Sequence, residues 1–342
     1  MMTLTEFKSW FDPHLFALLE EKITVFNAYS TVLSVHEVAC YTRALATEGK
    51  RLRPYLAYVG YCTANTEASA ESIRHFLVGI ELFHLFALVH DDIMDRAEIR
   101  HGVGAAHTLF GGKYGDSHIG VSLGILLGDL LIAWSYECIH HACAVHGAQG
   151  ELARNEFSIL ASEVVHGQMI DVLCTTKKNA HHEFILEKMR LKSAQYSFFR
   201  PLHMGLLLAG APKRDETFAK EYAQNLGLAF QIQDDLLDLL PSTGKAPFTD
   251  IREGQHTLLS WYMHECSEEP DRELFLRYFG VSFPESEEST VATLLHQSGA
   301  VSYATTIANE YFAKAYKAIV AHDKANNPVW RDIIETIQKR KK

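Results

Sequence analysis

Two short runs of this 342-residue chain concentrate carboxylates: His90-Asp91-Asp92-Ile93-Met94-Asp95 and Gln233-Asp234-Asp235-Leu236-Leu237-Asp238. At 3.6 residues per turn, Asp91 and Asp95 fall on one helix face, and Asp234 and Asp238 do the same on theirs. With Asp92 and Asp235 beside them, the acids can converge on one cavity. Left alone they repel, since like charges at i,i+4 cost roughly 0.2 to 0.5 kcal/mol per pair, and burial would force some of them to protonate. Divalent cations remove the conflict. Magnesium takes oxygen ligands and bridges one or two carboxylates to substrate phosphates, so the paired clusters suit a diphosphate held through magnesium. Either cluster alone reads equally as a solvated acidic helix end; two of them, each closing an apolar helix, do not.

A metal-diphosphate site also needs cations. Short basic motifs stand near the acids: Gly49-Lys50-Arg51-Leu52-Arg53-Pro54, Arg96 and Arg100 after the first cluster, Lys192-Ser193 in KMRLKSAQY, and Gly244-Lys245 after the second. Any one of these is more often a surface charge, and it is their placement beside the acids that carries weight.

The positioning elements read as helices. Apolar residues recur three and four apart in Ile73, Phe76, Leu77, Ile80, Phe83 and Leu88, and again in Leu226, Ala229, Phe230 and Leu237. Strict alternation is rare, and GVGAAH at Gly102 to His107 opens no strand-turn-helix unit. The spacing predicts a helix over 70–98, with breaks at Gly111-Gly112, Gly115, Gly210-Ala211-Pro212, Pro241 to Gly244, and Pro284. The expected architecture is all-α: one domain over 1–342, a many-helix bundle around a central cavity.

Composition narrows the function. With 47% hydrophobic residues the chain can bury a large core. Its net charge of -10 argues against a nucleic-acid partner. The N-terminus has no signal-peptide pattern, and no uninterrupted apolar run reaches the roughly 18 residues of a membrane span. Six cysteines without CxxC spacing suggest buried thiols in a reducing compartment, the cytoplasm.

Taken together, these motifs resemble the trans-isoprenyl diphosphate synthase family. The resemblance runs from GKRLRP through HLFALVHDDIMD, HGQMID, KSAQY, FQIQDDLLD and GKAPFTDIREG to SGAVSYATTIANEYFAKAYKAI. It implies the isoprenoid synthase fold and a homodimer. It also implies condensation of isopentenyl diphosphate with allylic diphosphates, with three magnesium ions around the bound diphosphate. Asp91, Asp95 and Asp234 match the metal ligands, with Asp92, Asp235 and Asp238 supporting them. Arg100, Lys192 and Lys245 match the cations on the allylic diphosphate, and Lys50, Arg53 and His84 match the isopentenyl diphosphate pocket. Ser193 and Gln168 match polar groups near the developing carbocation, and Phe230 matches an aromatic beside the homoallylic substrate, with Gln231 next to it.

The chain departs from the family at two points: His101 and Gln255 stand where arginine and lysine are usual. A histidine is mostly neutral above about pH 6.5, which predicts weaker isopentenyl diphosphate binding at alkaline pH than arginine would give. The basic tail Gln338 to Lys342 is expected to be a frayed end rather than a cover. Product length would be set below the first cluster, where Phe86 lies roughly 7.5 Å and Phe83 roughly 12 Å down a helix from Asp91. Unless both rings face a neighbouring helix, they favour a short product. The small Ala87 tilts the expectation from farnesyl towards geranylgeranyl diphosphate.

Three other readings compete. A terpene cyclase would share one DDxxD, but it normally pairs it with an Asn/Ser/Glu motif. A ferritin-like di-metal protein would use Glu81-x-x-His84 and Glu163-x-x-His166. A non-catalytic synthase subunit would normally lack one aspartate motif.

Overall fold

The computed structural model describes residues 1–29, 31–64, 69–100, 103–174, 181–241 and 247–340. Among them, helices dominate and the only strands are the antiparallel pair Ile99–Arg100 and Val103–Gly104, so the all-α expectation holds. The chain forms two compact units, one of residues 1–156 with 201–211, the other of residues 157–200 with 212–342.

In the first unit, helix Leu4–Asn27 buries Phe7, Phe11, Leu15, Leu19 and Ile23, a stripe at four-residue intervals, and Thr3 and Glu6 cap it reciprocally. The expected helix over 70–98 is shorter than predicted. A 3₁₀ turn at Ala70–Ile73 leads into Arg74–Met94, and Asp95 is the C-cap residue. This helix packs on Ser117–Ala144 by way of small residues. A Cβ at Gly128 would lie 2.1 Å from His90 Nε2, one at Gly124 would lie 2.8 Å from Ile93, and Ser135 Oγ donates to Gly79 O at 2.7 Å. Gly111-Gly112, expected to break the chain, lies inside helix Ala106–Tyr114, which ends at Gly115 in the left-handed region. The close approach here needs Gly120 rather than Gly111, because a Cβ on Gly120 would lie 2.2 Å from His107 O and 2.6 Å from Gly111 N.

In the second unit, helix Lys213–Leu237 packs on Ala300–Ala321 and on the π-helical segment Arg190–Phe199. Contact with the π-helical segment is backbone-close: a Cβ on Gly227 would sit 2.4 Å from Ala194 Cα. Trp330 is buried against Phe218 and Tyr222, and Tyr222 Oη donates to Trp330 O at 2.7 Å, which anchors the C-terminal helix Val329–Gln338.

The expectation about membrane-length segments needs correction. Ala70–Met94, Ser117–Ala144 and Gly147–Cys174 are each long and apolar enough to cross a membrane by length and composition, because scattered polar residues do not lower their mean hydropathy enough. For Ala70–Met94 the apolar character has another use, since 67% of its most apolar stretch is buried inside the protein. The other two helices leave apolar residues outward, among them Ile125, Leu126, Met169 and Leu173. All six cysteines are free thiols; Cys138, Cys143 and Cys174 are buried as expected, whereas Cys266 is exposed.

Candidate active site

Both aspartate clusters close their helices in the same way. Asp95 N–H donates to Asp91 O at 2.8 Å, and Asp238 N–H donates to Asp234 O at 3.0 Å, so the last acid of each cluster caps a helix. Acids at a helix C-terminus face the negative end of the macrodipole, the reverse of the stabilising arrangement. Cations must therefore balance them.

In the first cluster the acids divide by burial. Asp92 is buried and takes Arg100 through Nε at 2.8 Å and again through Nη2. Burial pushes the Asp92 carboxyl up, against the pull of Arg100. Asp91 and Asp95 remain half-buried, and both lie within electrostatic reach of Arg100. Tyr41, packed beside the Asp92–Arg100 pair, has its hydroxyl pushed up to about 12, chiefly by burial and then by Asp92, and it donates to Gly104 O at 2.8 Å.

The GKRLRP loop is built on its middle arginine. Arg51 is 2% exposed with φ 55°, and it bonds to Asp12 at 2.7 Å, Glu81 at 2.8 Å, Glu48 O at 2.9 Å and Ala46 O. Lys50 is left exposed on one side of it and Arg53 half-buried on the other, while His84 is half-buried on the neighbouring helix. Phe83 is buried against Phe86 at 5.1 Å, and Phe86 meets His90 edge-on at 4.8 Å beside half-buried Ala87.

In the second cluster, a hydrogen-bonded chain links three of the expected residues. Ser193 Oγ donates to Gln231 Oε1, and Gln231 Nε2 donates to Asp235 Oδ1 at 2.7 Å. Asp235 is buried and its other oxygen has no hydrogen-bond partner; burial and then the charge of Asp250 push its carboxyl well above the usual range. Asp238 is buried and accepts Asp250 N–H at 3.0 Å. Asp234 alone is exposed. Both clusters thus leave accessible the acids that match metal ligands, and they commit the supporting ones to internal bonds.

Lys192 pairs with Asp171, which also takes Lys188 at 2.9 Å. Burial alone would raise the Asp171 carboxyl, but Lys188 and Lys192 hold it below the usual range. Gln168, one turn before Asp171, has a buried Nε2 with no hydrogen-bond partner. The tail departs from the frayed end expected: Arg340 Nη2 donates to Asp234 at 2.8 Å, and the guanidinium lies 4.2 Å above the Phe230 ring. The Trp330 anchor carries the last helix to that position. His101 and Lys245 lie outside the described residues.

The donors suit a hard divalent ion, being carboxylate oxygens with lysines and arginines close by. Among the described residues no three His, Cys, Asp or Glu are grouped so as to hold a metal ion by themselves. The ferritin-like alternative loses its glutamates to arginines, Glu81 to Arg51 and Glu163 to a two-pronged grip by Arg200 at 2.8 and 2.6 Å. Sequence reasoning assigned no role to Asp171 or Lys188, counted Arg51 only within a motif of candidate cations, and placed Arg340 in a frayed tail. The spacing of Lys188 four residues before Lys192 was the one available signal for this group.

Residues 36–296 match the polyprenyl synthetase family. A geranylgeranyl diphosphate synthase from Sulfolobus acidocaldarius is 28% identical over 91% of this chain and 92% of that protein. A geranylgeranyl pyrophosphate synthase from Geoglobus acetivorans is 32% identical over 82% of this chain and 83% of its own length. Among solved structures, the geranylgeranyl pyrophosphate synthase of Corynebacterium glutamicum, complexed with isoprenyl diphosphate and magnesium, superposes with a TM-score of 0.89 at 23% identity, covering 99% of this chain and 100% of that one.

Proposed function

Because the chain belongs to the polyprenyl synthetase family, we propose that it is a magnesium-dependent prenyltransferase joining isopentenyl diphosphate to an allylic diphosphate, with a short all-trans product, geranylgeranyl or farnesyl diphosphate. One observation carries this reading: each aspartate cluster closes a helix with its metal-matching acids accessible and its remaining acids internally bonded.

In this reading Asp91, Asp95 and Asp234 hold magnesium, three ions in all. When bound there, such ions would supply neutralisation of the charge on a departing diphosphate. Arg100 and Lys192 bind the allylic diphosphate and stabilise the same developing charge, and each 1.36 kcal/mol of that preference is worth tenfold in rate. Lys50, Arg53 and His84 hold the diphosphate of the homoallylic substrate. Its double bond attacks the allylic carbon, and the proton then lost goes to the released diphosphate. Gln168 and Ser193 turn polar atoms towards the positive charge, and the apolar residues around them exclude water. Phe86, backed by Phe83, limits chain growth. The outward apolar residues on helices Ser117–Ala144 and Gly147–Cys174 are faces for a second copy, and the free thiols fit a reducing cytoplasm.

The test is incubation with magnesium, labelled isopentenyl diphosphate and each of dimethylallyl, geranyl and farnesyl diphosphate, followed by sizing of the dephosphorylated products. Chain elongation that stops when the metal is chelated is expected; no elongation from any primer defeats the proposal.

A further inference from the structure

Arg100, bonded to the first aspartate cluster through Asp92, stands on the short strand pair Ile99–Arg100 and Val103–Gly104. So short a hairpin does not hold its shape in water by its own ladder, and the position of Arg100 depends on what the strands are tied to. Ala105 N–H donates to Glu98 O at 2.9 Å, so Ile99 and Gly104, which face each other, form a pair that exchanges no backbone bonds. Gly104 O is thereby left to a partner outside the hairpin. That partner is Tyr41 on helix Leu33–Thr47, whose hydroxyl donates to it at 2.8 Å. The Tyr41 ring also meets Phe110 edge-on at 5.7 Å, on the helix that follows the hairpin, and it lies within electrostatic reach of both Asp92 and Arg100. Each strand thus has its own outside tie: Asp92 holds the strand of Arg100, and Tyr41 holds the strand paired with it.

We infer that Tyr41 is a positioning residue for the allylic diphosphate, its hydroxyl fixing the hairpin at Gly104 so that the Arg100 guanidinium keeps the orientation in which it meets the anion. Nε and Nη2 of Arg100 are engaged by Asp92, which leaves Nη1 for a phosphate oxygen. A hydrogen bond weakens steeply off its line, so a hairpin that tilts on a single tie loses affinity for the anion without losing the cation. Tyr41 itself touches no substrate in this scheme and acts through Arg100. This inference rests on the function proposed above.

The test is calorimetric titration of geranyl diphosphate with magnesium, without isopentenyl diphosphate, into the wild type, Tyr41→Phe, Arg100→Gln and the double variant, with a melting curve for each. Tyr41→Phe keeps the ring on Phe110 and is expected to weaken binding roughly fivefold, the scale of one neutral hydrogen bond. Its KM for isopentenyl diphosphate should stay within about twofold of wild type. In the Arg100→Gln background the same substitution should change affinity less than about twofold, because groups that act through one another are not additive. Wild-type affinity in folded Tyr41→Phe overturns the inference alone, as does a fivefold loss that persists without Arg100 or that falls equally on both substrates. Phe110→Leu, which leaves the hydroxyl in place, reads the inference independently of Tyr41→Phe. Binding within about twofold of wild type is expected of it, and a loss as large as fivefold would show that ring packing matters rather than the bond to Gly104. A wild type that binds no magnesium geranyl diphosphate overturns the underlying function as well.

Discussion

Arg340 and Asp234 are 106 positions apart in sequence, yet the guanidinium donates to the carboxylate at 2.8 Å while stacking over Phe230. The exposed acid of the second cluster therefore already has a cation, supplied by the chain itself. Any metal at Asp234 has to compete with it.

Removing the competitor should ease metal binding. Arg340→Ala is expected to lower the magnesium concentration for half-maximal diphosphate binding, by up to about fivefold given what half-exposed ion pairs contribute. A magnesium titration of the two proteins decides the matter. A midpoint that stays put or rises would mean that Arg340 helps the anion rather than hindering the metal.

Ligand removal should separate stability from binding. A ligand at a hundred times its dissociation constant stabilises a protein by about 2.7 kcal/mol, so magnesium with diphosphate should raise the wild-type melting temperature by several degrees. Asp91→Asn and Asp234→Asn are expected to abolish that rise while melting near the wild type without ligand. Turnover in both should fall on the order of a hundredfold or more. Retention of the ligand-induced shift in either variant would remove that aspartate from the metal site.

The buried Asp235 and Asp171 make opposite contributions to the pH dependence of stability. Asp235 has a folded pKa raised above its unfolded value of about 3.9, so its contribution is complete below that value and is lost as pH rises through the folded pKa. Asp171 has a lowered folded pKa, so its contribution is present above about 3.9 and is lost only on acidification below the usual carboxylate range. Asp235→Asn should therefore flatten the decline in melting temperature on the alkaline side and leave the acid limb unchanged. Parallel melting profiles for variant and wild type across that range would contradict the assignment.

Product length should respond to Phe86 and to the groove that holds its neighbour. Phe86→Ala is expected to lengthen the product by at least one isoprene unit. Gly128→Ala, whose Cβ would lie 2.1 Å from the His90 ring packed on Phe86, should cost about 1 to 3 kcal/mol and also shift the product distribution. Chromatography of dephosphorylated products reads both, and unchanged chain length in Phe86→Ala would show that its ring does not set the limit.

The readable part of this protein was local. Paired aspartates, Lys192-Ser193 and the helical period lie within a few residues of one another, so type and spacing carried them. The aspartates resemble one another in sequence, but their division into accessible and internally bonded acids depends on Arg100 and Asp250, which the fold brings to them, and on Gln231, one turn before Asp235 on the same helix. Arg51 looked like one more surface cation because Asp12 and Glu81, which bury it, are 39 and 30 positions away. Gly111-Gly112 was misread as a break because the helix Ala106–Tyr114 runs through both and stops only at Gly115, in the left-handed region. The tail was misread because Trp330, which fastens the last helix, finds its partners around Tyr222.

Arg51 also ties the first helix to a loop that the first helix never enters. Trimming the chain beyond Asp12 would strip one of two carboxylates from a guanidinium shut away from water. A preparation shortened in this way should still form helices, yet if Lys50 and Arg53 hold isopentenyl diphosphate as proposed, it should release that substrate sooner, because they would have lost the strut between them.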